Sequence, residues 1–361
     1  MTLEEIARLA GVSRSTVSRV VNGDPRVSPA ARQRVEEVIR QQNFHPHAAA
    51  RSLASRRTRI VGLLIPYAVG KLFRDPFFPA LIEGVVQACN EADHNVALMM
   101  ETSEGGATSD RVYRRVIRGR HVDGVIIASS VVEDPIVARL KEDGFPFVLV
   151  GRHPHHDVSF VDVDNRGGAH MAVTHLLAHG RRRIAMITGP RNMIASIDRY
   201  AGYVTALQEA GHLPEPALTV AGDFTRRGGY HAMQQILSSG VELPDAVFVA
   251  SDAMASGALQ ALRDASLRVP DDIAVIGFDG LEETLVSRPV LSTVVQPIEE
   301  EGREAVRALL ELMEHPDRAP LQRVLPTHLL LRQSCGCEPE SPVHQKGGDS
   351  LVASSVEVAT A

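Results

Sequence analysis

Hydrophobic residues recur at helical spacing in the first 45 positions of the chain. In "LEEIARLAGV" (residues 3–12), Leu3, Ile6 and either Leu9 or Ala10 fall on one stripe. Gly11 suits a helix end because glycine tolerates positive φ. The next segment, "SRSTVSRVVN" (residues 13–22), has apolar side chains at i, i+3 and i+4, namely Val17, Val20 and Val21. The pattern predicts two short helices joined by a glycine turn.

The second predicted helix has a polar surface opposite its valines. Ser13 is placed to cap it. The outward arc consists of Arg14, Ser15, Ser18, Arg19 and Asn22. Two short helices with a tight turn and a polar outer face are typical of a helix-turn-helix, whose second helix enters the DNA major groove. A small helical hairpin with a solvated face is the alternative interpretation.

A third helix and a short basic segment follow. In "VSPAARQRVEEVIRQQN" (residues 27–43), Ser28 is a suitable N-cap and Pro29 fits the first helical position. In "HPHAAARSLASRRTR" (residues 45–59), Leu53 stands among arginines on a segment too short to form a stable helix alone. The segment is either a solvated linker or a hinge that becomes helical on DNA and inserts Leu53 between minor-groove base steps.

From Ile60 onward, short apolar runs alternate with helical stretches. The runs are "IVGLLIP", "VALMME", "VDGVIIAS", "PFVLVGR", "VSFVDVD", "RIAMITGP", "AVFVAS" and "IAVIGFD". Near-continuous Val, Ile and Leu strands of this kind predict parallel sheets covered by helices on both faces. The fold class is therefore α/β behind an all-α N-terminal domain. The runs alone leave open whether they form one large sheet or two lobes.

Charge separates the N-terminal region from the rest of the chain. The 361 residues carry a net charge of −6, but residues 1–59 hold 11 arginines and no lysine against 5 acidic residues. This region is therefore +6, and residues 60–361 are −12. A compact basic head on an acidic body is the pattern expected when only the head contacts DNA phosphates.

Several other classes of protein find little support. Cys89, Cys335 and Cys337 lack paired metal-type spacing and indicate neither a disulfide framework nor a zinc site. "HPHHD" (residues 153–157) matches no ligand spacing, so we expect no metal and no cofactor. No nucleophile elbow, P-loop or Cys–His arrangement is present, so we do not expect an enzyme. The absence of a signal segment and of a membrane-length apolar run fits a cytoplasmic protein.

The stretch "TLEEIARLAGVSRSTVSRVVNGDPRVSPAARQRVEEVIRQQNFHPHAAARSL" resembles the head and hinge of the lactose-repressor (LacI) family of bacterial transcription regulators. Its "TVSRVVN" and "ARSL" elements are highly specific to that family. The resemblance implies a helix-turn-helix domain over residues 1–45 and a hinge helix over 46–58. Residues 59–332 would form a two-lobed, periplasmic-binding-protein-like domain for effector binding and dimerisation. We expect the chain to cross between lobes near Val158–Asp164, Pro289–Val294 and Arg323–Thr327.

The resemblance also implies which residues contact DNA. They are Ser13, Arg14, Ser15, Thr16, Ser18, Arg19 and Asn22 in the head, and Arg51 and Leu53 in the hinge.

Residues 333–361 are rich in Gly, Ser, Pro and charged residues and lack leucine heptads. We therefore expect a disordered tail, and no tetramer built by a coiled coil of the tail.

Candidate effector contacts lie after the strands, where open α/β lobes bind ligands. Arg199 in "DRYAGY" can fork onto two hydroxyls, and Asp279 in "VIGFDG" can accept from two. Both match family elements whose arginine and aspartate contact effector, R-x-x-G-[YFW] and G-[FY]-D. Phe77 and Phe78 in "DPFFP" are candidates for stacking, although at least one of them is as well suited to packing under the next helix. Further candidates are Asp198, Phe224 and Asp252, and Asp252 is equally suited to capping its helix.

Departures from the family pattern bear on the ligand. "YAVGKLFRDPFF" (residues 67–78) is longer and more basic than the usual loop, and Arg152 stands where some sugar-responsive members carry an acidic residue. Without tryptophan, stacking must come from Phe or Tyr. These features favour a polyhydroxylated effector, a sugar or sugar derivative, over a purine.

The predicted function is thus a ligand-responsive transcriptional repressor. Two-fold symmetry predicts that a homodimer binds a pseudo-palindromic operator on double-stranded DNA. We expect the protein in the cytoplasm, associated with the nucleoid when it is bound to the operator. One alternative is a solute-binding protein for transport, which would need export. Another is an architectural DNA protein whose body has lost its ligand, against which the presence of both Arg199 and Asp279 speaks.

Overall fold

The computed structural model describes residues 1–21, 24–44, 57–65, 75–100, 112–128, 131–132, 134–154 and 157–337. The expected DNA contacts Asn22, Arg51 and Leu53 lie outside the described residues, as do most of the expected hinge and the chain beyond residue 337.

The head consists of helices α1 (Leu3–Ala10), α2 (Arg14–Val21) and α3 (Pro29–Gln41). Gly11, with φ of 62°, ends α1 as the sequence predicts. The Oγ of Ser13 accepts a hydrogen bond from the backbone N–H of Thr16 at 3.1 Å, which confirms Ser13 as the cap of α2. Ala10 is buried and Leu9 is exposed, so the inward stripe of α1 uses Ala10. The head has its own core of Ile6, Ala7, Ala10, Val17, Val20, Val35 and Phe44.

The body alternates strands and helices. The described strands are β1 (Ile60–Ile65), β2 (Asn95–Met100), β3 (Gly124–Ala128), β4 (Phe147–Val150), β5 (Phe160–Val163), β6 (Ile184–Thr188), β7 (Thr219–Ala221), β8 (Ala246–Val249), β9 (Ala274–Asp279), β10 (Ser292–Val295), β11 (Gln322–Leu325) and β12 (His328–Leu330). The helices are α4 (Phe77–Glu91), α5 (Pro135–Glu142), α6 (Asn165–Ala178), α7 (Ile194–Glu209), α8 (Arg226–Leu237), α9 (Asp252–Asp264) and α10 (Ile298–Glu314). A short π-helical turn covers Tyr113–Ile117.

The strands form two sheets, which confirms two lobes. Lobe 1 has the strand order β11-β5-β4-β3-β1-β2, and all its pairs are parallel. Lobe 2 has the order β12-β10-β9-β8-β6-β7, in which only the edge strand β12 runs antiparallel to its neighbour. Central strands β3 and β9 are buried along their whole length, which explains why they appear in the sequence as continuous apolar runs.

The chain crosses between the lobes three times. The first crossing lies between β5 and α6 and the third between β11 and β12, both where the sequence analysis places them. The second was expected at Pro289–Val294 but lies at residues 296–297, between β10 and α10. This correction follows from β10, which pairs with β9 along its whole length and therefore still belongs to lobe 2.

Helix α10 belongs to lobe 1, although it follows the lobe 2 strand β10 in the chain. It contributes Ala305, Val306, Ala308 and Leu309 to the lobe 1 core. Gly84 of α4 and Gly302 of α10 allow the two helices to approach closely. A Cβ on Gly84 would overlap the backbone of Glu299, and one on Gly302 would press on the Leu81 carbonyl.

The expectation of a disordered tail from residue 333 is wrong for its first residues. Residues Gln333–Cys335 form a 3-10 turn, and Ser334 is fully buried. The Ser334 hydroxyl donates to the carbonyl of Val275 at 2.6 Å and accepts from the N–H of Ser292 at 2.8 Å. Because this side chain satisfies backbone groups of two strands, lobe 2 extends at least to Cys337.

Within the described ranges, no helix has the length and apolar character that crossing a membrane would require.

Candidate functional site

A cavity of about 600 Å³, counting the part open to solvent, lies between the lobes at the carboxyl ends of their strands. It is lined by five of the seven candidate effector residues, namely Phe77, Phe78, Arg199, Phe224 and Asp279. Polar lining groups that the sequence analysis did not single out are Asp75, Asp223, Thr225, Ser251 and Gln296.

Arg199 is held rigidly in the wall of this cavity. It is only 4% exposed. Its Nε donates to Oδ1 of Asn165 at 2.7 Å, and its Nη1 donates to the Ala250 carbonyl at 2.6 Å and to Oδ1 of Asp279 at 3.4 Å. The guanidinium carbon lies 3.6 Å from the ring centroid of Phe278, a cation–π contact. Within the described chain Nη2 has no acceptor, so it is the donor available to a ligand.

Asp279 ends β9 and faces Arg199. Its Oδ1 also accepts from Nε2 of Gln296 at 2.6 Å, and its Oδ2 accepts from the N–H of Asp252 at 3.3 Å. Its φ of 130° is one that L residues rarely adopt, and backbone strain of this kind collects at functional sites. Burial raises the pKa of Asp279 to about 6 despite the opposing effect of Arg199. The carboxylate is therefore ionised at pH 7 at a cost in stability.

Aromatic rings border the cavity on both lobes. The rings of Phe77 and Phe78 lie 5.5 Å apart at 80°. Phe78 is buried in the lobe 1 core, and Phe77 is half-buried, so Phe77 has the more accessible ring. In lobe 2, Phe224 has a φ of 63° and its ring covers Gly189, where a Cβ would overlap it. Among the described lining residues, each lobe therefore contributes one accessible aromatic ring, Phe77 and Phe224.

The cavity wall is acidic. Asp75, Asp223 and Asp279 line it, and Arg199 is the one cation among the described lining residues. Burial, together with repulsion from Asp279, raises the pKa of Asp75 to about 7. A further buried carboxyl, Glu301 of α10, has an Oε2 without a hydrogen-bond partner in the described structure. Burial raises its pKa well above the usual value, which favours the neutral form.

Asp252 does not line the cavity and does not cap its helix. Its carboxylate accepts hydrogen bonds from the N–H groups of Gly280 and Leu281 at 2.8 and 3.0 Å and from the hydroxyl of Thr293 at 2.6 Å. The cap of α9 is Ser251. Asp252 thus holds the loop after β9, and with it the position of Asp279.

Asp198 also lies away from the cavity lining. It forms an ion pair with Arg152. Arg152 follows β4 in lobe 1 and Asp198 is on α7 in lobe 2, so the pair connects the two lobes. A backbone bridge between Val131 and Met193 connects them a second time. In this structure Asp198 therefore makes an inter-lobe contact, and its contact with a ligand stays a prediction.

The candidate DNA-binding side chains of α2 are at the surface. Ser13, Arg14, Ser15 and Arg19 are exposed, and Thr16 and Ser18 are half-buried. Nε of Arg14 lies 2.6 Å from Oε1 of Glu4, and both side chains are more than 60% exposed. Such exposed pairs contribute about 0–1 kcal/mol, so Arg14 can exchange Glu4 for another partner.

Asp123 anchors the chain where it enters lobe 1. Its Oδ1 accepts from the N–H and the hydroxyl of Thr58 at 2.7 and 2.9 Å, and its Oδ2 accepts from the N–H of Arg59 at 2.7 Å. Asp123 precedes β3, at the edge of the sheet opposite the cavity. The sequence analysis missed it, since only the pairing of β1 with β3 brings it beside residue 58.

Comparison with known proteins decides the family. Residues 2–47 match the model of bacterial regulatory proteins of the lacI family, and residues 173–335 match a periplasmic binding protein-like domain. The HTH-type transcriptional regulator CelR of Thermobifida fusca is 40% identical over 336 residues, which cover 92% of this chain and 98% of CelR. The chain belongs to the lacI family.

Solved lacI-family structures have the same architecture. A CelR–cellobiose complex matches with a TM-score of 0.72 and 39% identity, covering 92% of this chain and 99% of that one. A lac repressor dimer bound to operator and an anti-inducer matches with a TM-score of 0.81 and 27% identity, covering 93% and 99%. This lacI-family chain is therefore a DNA-binding transcriptional regulator with a helix-turn-helix head and a two-lobed α/β body.

Proposed function

We propose that the cavity binds a neutral sugar and that this sugar controls the affinity of a repressor dimer for its operator. The observation that carries the proposal is the buried pair of Arg199 and Asp279, which offers a fixed guanidinium donor beside a carboxylate acceptor. Vicinal hydroxyls, which both donate and accept, are complementary to such a pair. Phe77 and Phe224 supply apolar ring faces on either side.

The charge of the cavity selects against anionic sugars. Among the described lining residues there are three carboxyls and one arginine, and that arginine is already paired with Asp279. A phosphate or carboxylate would have to approach these acidic groups without a free cation among the described lining residues. A neutral mono- or oligosaccharide avoids this repulsion, and the complex of CelR with cellobiose is consistent with this choice. We propose binding and no catalysis at this cavity.

At the DNA, α2 supplies the base and phosphate contacts. The proposed contacts are Ser13, Arg14, Ser15, Thr16, Ser18 and Arg19, together with Asn22, Arg51 and Leu53 outside the described residues. A homodimer on a pseudo-palindromic operator follows from two-fold symmetry, as in the operator-bound lac repressor dimer. We propose that the operator-bound protein is associated with the nucleoid.

Lobe closure is the step that would connect sugar to operator. Closing the cleft moves lobe 1 relative to lobe 2, and Asp123 ties the chain leaving the head to lobe 1. In a dimer, a change in lobe angle therefore changes the spacing of the two hinges. A ligand can shift this equilibrium only through different affinities for the two arrangements.

A thermal-shift screen of the full chain tests the proposal. The panel contains cellobiose and other neutral mono- and disaccharides, their phosphates, and purines. A ligand at 100 times its Kd stabilises the folded state by about 2.7 kcal/mol, which corresponds to a rise of several degrees in Tm. We expect shifts with neutral sugars, and a change in operator affinity with the same compounds. Shifts confined to sugar phosphates or purines would contradict the proposal.

A further inference from the structure

Two histidines and two cysteines from opposite ends of lobe 2 meet at its surface. His175 and His179 lie one turn apart at the end of α6, and Cys335 and Cys337 follow β12. Sγ of Cys337 lies 3.2 Å from Nε2 of His175 and 3.6 Å from Nε2 of His179. The ligand atoms of His175, Cys335 and Cys337 all lie within 4.8 Å of one another. We propose that these four side chains form a zinc site.

The two separations between Sγ of Cys337 and the histidine nitrogens agree with tetrahedral coordination. Zinc binds sulfur at about 2.3 Å and imidazole nitrogen at about 2.0–2.1 Å, so tetrahedral geometry places the two donor atoms about 3.6 Å apart. Both S···N separations are within about 0.4 Å of this value. The pair of histidines at i and i+4 also has the spacing common to zinc-binding helices.

The ring orientation of His179 supports a role as ligand. Its Nδ1 lies 2.9 Å from the backbone carbonyl of His175. A carbonyl oxygen can only accept, so Nδ1 carries the proton and Nε2 of the neutral ring presents its lone pair toward Cys337. Zinc-bound histidines commonly have their second nitrogen fixed by such a bond.

The chain between the cysteines is built for a tight turn. Gly336 has φ of 91°, which only glycine adopts without strain. Cys335 is buried in lobe 2, and Cys337 and His175 are half-buried, so the cluster adjoins solvent. The two negative charges of two thiolates would neutralise a divalent cation, and the two imidazoles are uncharged. Two cysteines and two histidines are also a common donor set of structural zinc sites.

The position indicates a structural role. Helix α6 starts at the cavity, where Asn165 binds Arg199, and His175 lies ten residues later, about 15 Å along the helix axis. The metal would fasten Cys335 and Cys337 to the far end of this helix. Its removal should lower the Tm of the body and leave sugar and operator binding in place.

The experiment measures metal directly in the full chain. Protein purified under reducing conditions is loaded with Zn²⁺, dialysed and assayed by plasma mass spectrometry, and a Co²⁺-loaded sample is examined by absorption spectroscopy. We expect about one zinc per chain and a sulfur-to-cobalt charge-transfer band with the visible bands of tetrahedral Co²⁺. Chelation should lower Tm by several degrees.

Matched variants identify the ligands. Cys337→Ser and His179→Asn should lose most of the zinc and the charge-transfer band. Cys89→Ala, a buried thiol of lobe 1, and His170→Asn, on the same helix but paired with Glu209, should keep both. Circular dichroism checks that each variant is folded. Zinc content near zero in the loaded parent, or equal zinc in all four variants, would overturn the proposal and show that the cluster is only a thiol–imidazole contact.

Discussion

Asp279→Asn separates a ligand-binding role of this residue from a structural one. The carboxyl is 4% exposed, and its pKa is about 6 instead of 3.8. The folded state thus holds the proton more tightly than the unfolded state. Stability from this group is fully present below pH 4, falls as the pH rises to about 6, and is constant above that. At pH 8 the ionised group costs roughly 3 kcal/mol.

The amide has nearly the shape of the protonated carboxyl and never ionises. The variant should therefore be at least as stable as the parent at pH 8, with Tm higher by up to several degrees, and equal to it near pH 4. Sugar binding should weaken, because a hydrogen bond to a charged acceptor contributes about 1.5–3 kcal/mol and a neutral one about 0.5–1.5 kcal/mol. The loss is roughly ten-fold in Kd for each hydroxyl bound.

Three measurements test this reasoning. Melting curves at pH 4, 6 and 8 give the stability, calorimetry with the best neutral sugar from the screen gives Kd, and operator titrations with and without that sugar give the response. Asp272→Asn is the control, because its carboxyl is only half-buried, pairs with Arg268, and has a pKa lowered to about 2 by that arginine. It should gain no stability at pH 8 and leave sugar binding unchanged. An Asp279→Asn protein that melts several degrees lower at pH 8 but binds sugar normally would refute the reasoning.

Three further outcomes are expected at the DNA-binding end. Asp123→Ala should keep the sugar Kd but reduce the effect of sugar on operator affinity, and an undiminished effect in paired titrations would exclude Asp123 from the coupling. Leu53→Ala should lower specific binding and DNA bending, with little change in salt-dependent non-specific binding, as measured by circular-permutation gel shifts. A normal bend would remove Leu53 from the mechanism. Arg14→Ala should change which operators are selected from a randomised library, whereas uniform weakening would indicate a phosphate contact.

The strands that could be predicted from sequence are those with a continuous apolar run, which include strands buried on both faces, such as β3 and β9, and the partly exposed β2. All eight apolar runs correspond to strands, among them β1, β3 and β9. Four strands were not predicted as such. β7 and β12 have three residues each, and β11 alternates exposed and half-buried positions, so none produces a continuous apolar run. The fourth, β10, was taken for part of a crossing.

The site was predictable where a local motif carries the chemistry. Arg199 and Asp279 sit in short recognisable elements, and both line the cavity. Asp252 has the same carboxylate in the same kind of position, but its Oδ2 accepts from two backbone N–H groups of a loop and its Oδ1 from the hydroxyl of Thr293. Only the tertiary structure shows that difference. Likewise, His175 and Cys337 are 162 positions apart, so no spacing rule connects them.

The late return of α10 to lobe 1 also determines the order in which the protein can mature on the ribosome. Residues 1–44 emerge first and contain their own core, so the head can fold early. Lobe 1 lacks Ala305, Val306 and Leu309 of α10 until most of lobe 2 has been synthesised, and its strand β11 ends only at Leu325. Roughly 280 residues separate the end of the head at residue 44 from Leu325, where the last strand of lobe 1 ends. At a translation rate of about 5–20 residues per second this is a delay of about 15–55 seconds. During this interval the nascent chain has a folded DNA-binding head, while the two-lobed body that would regulate it is still incomplete.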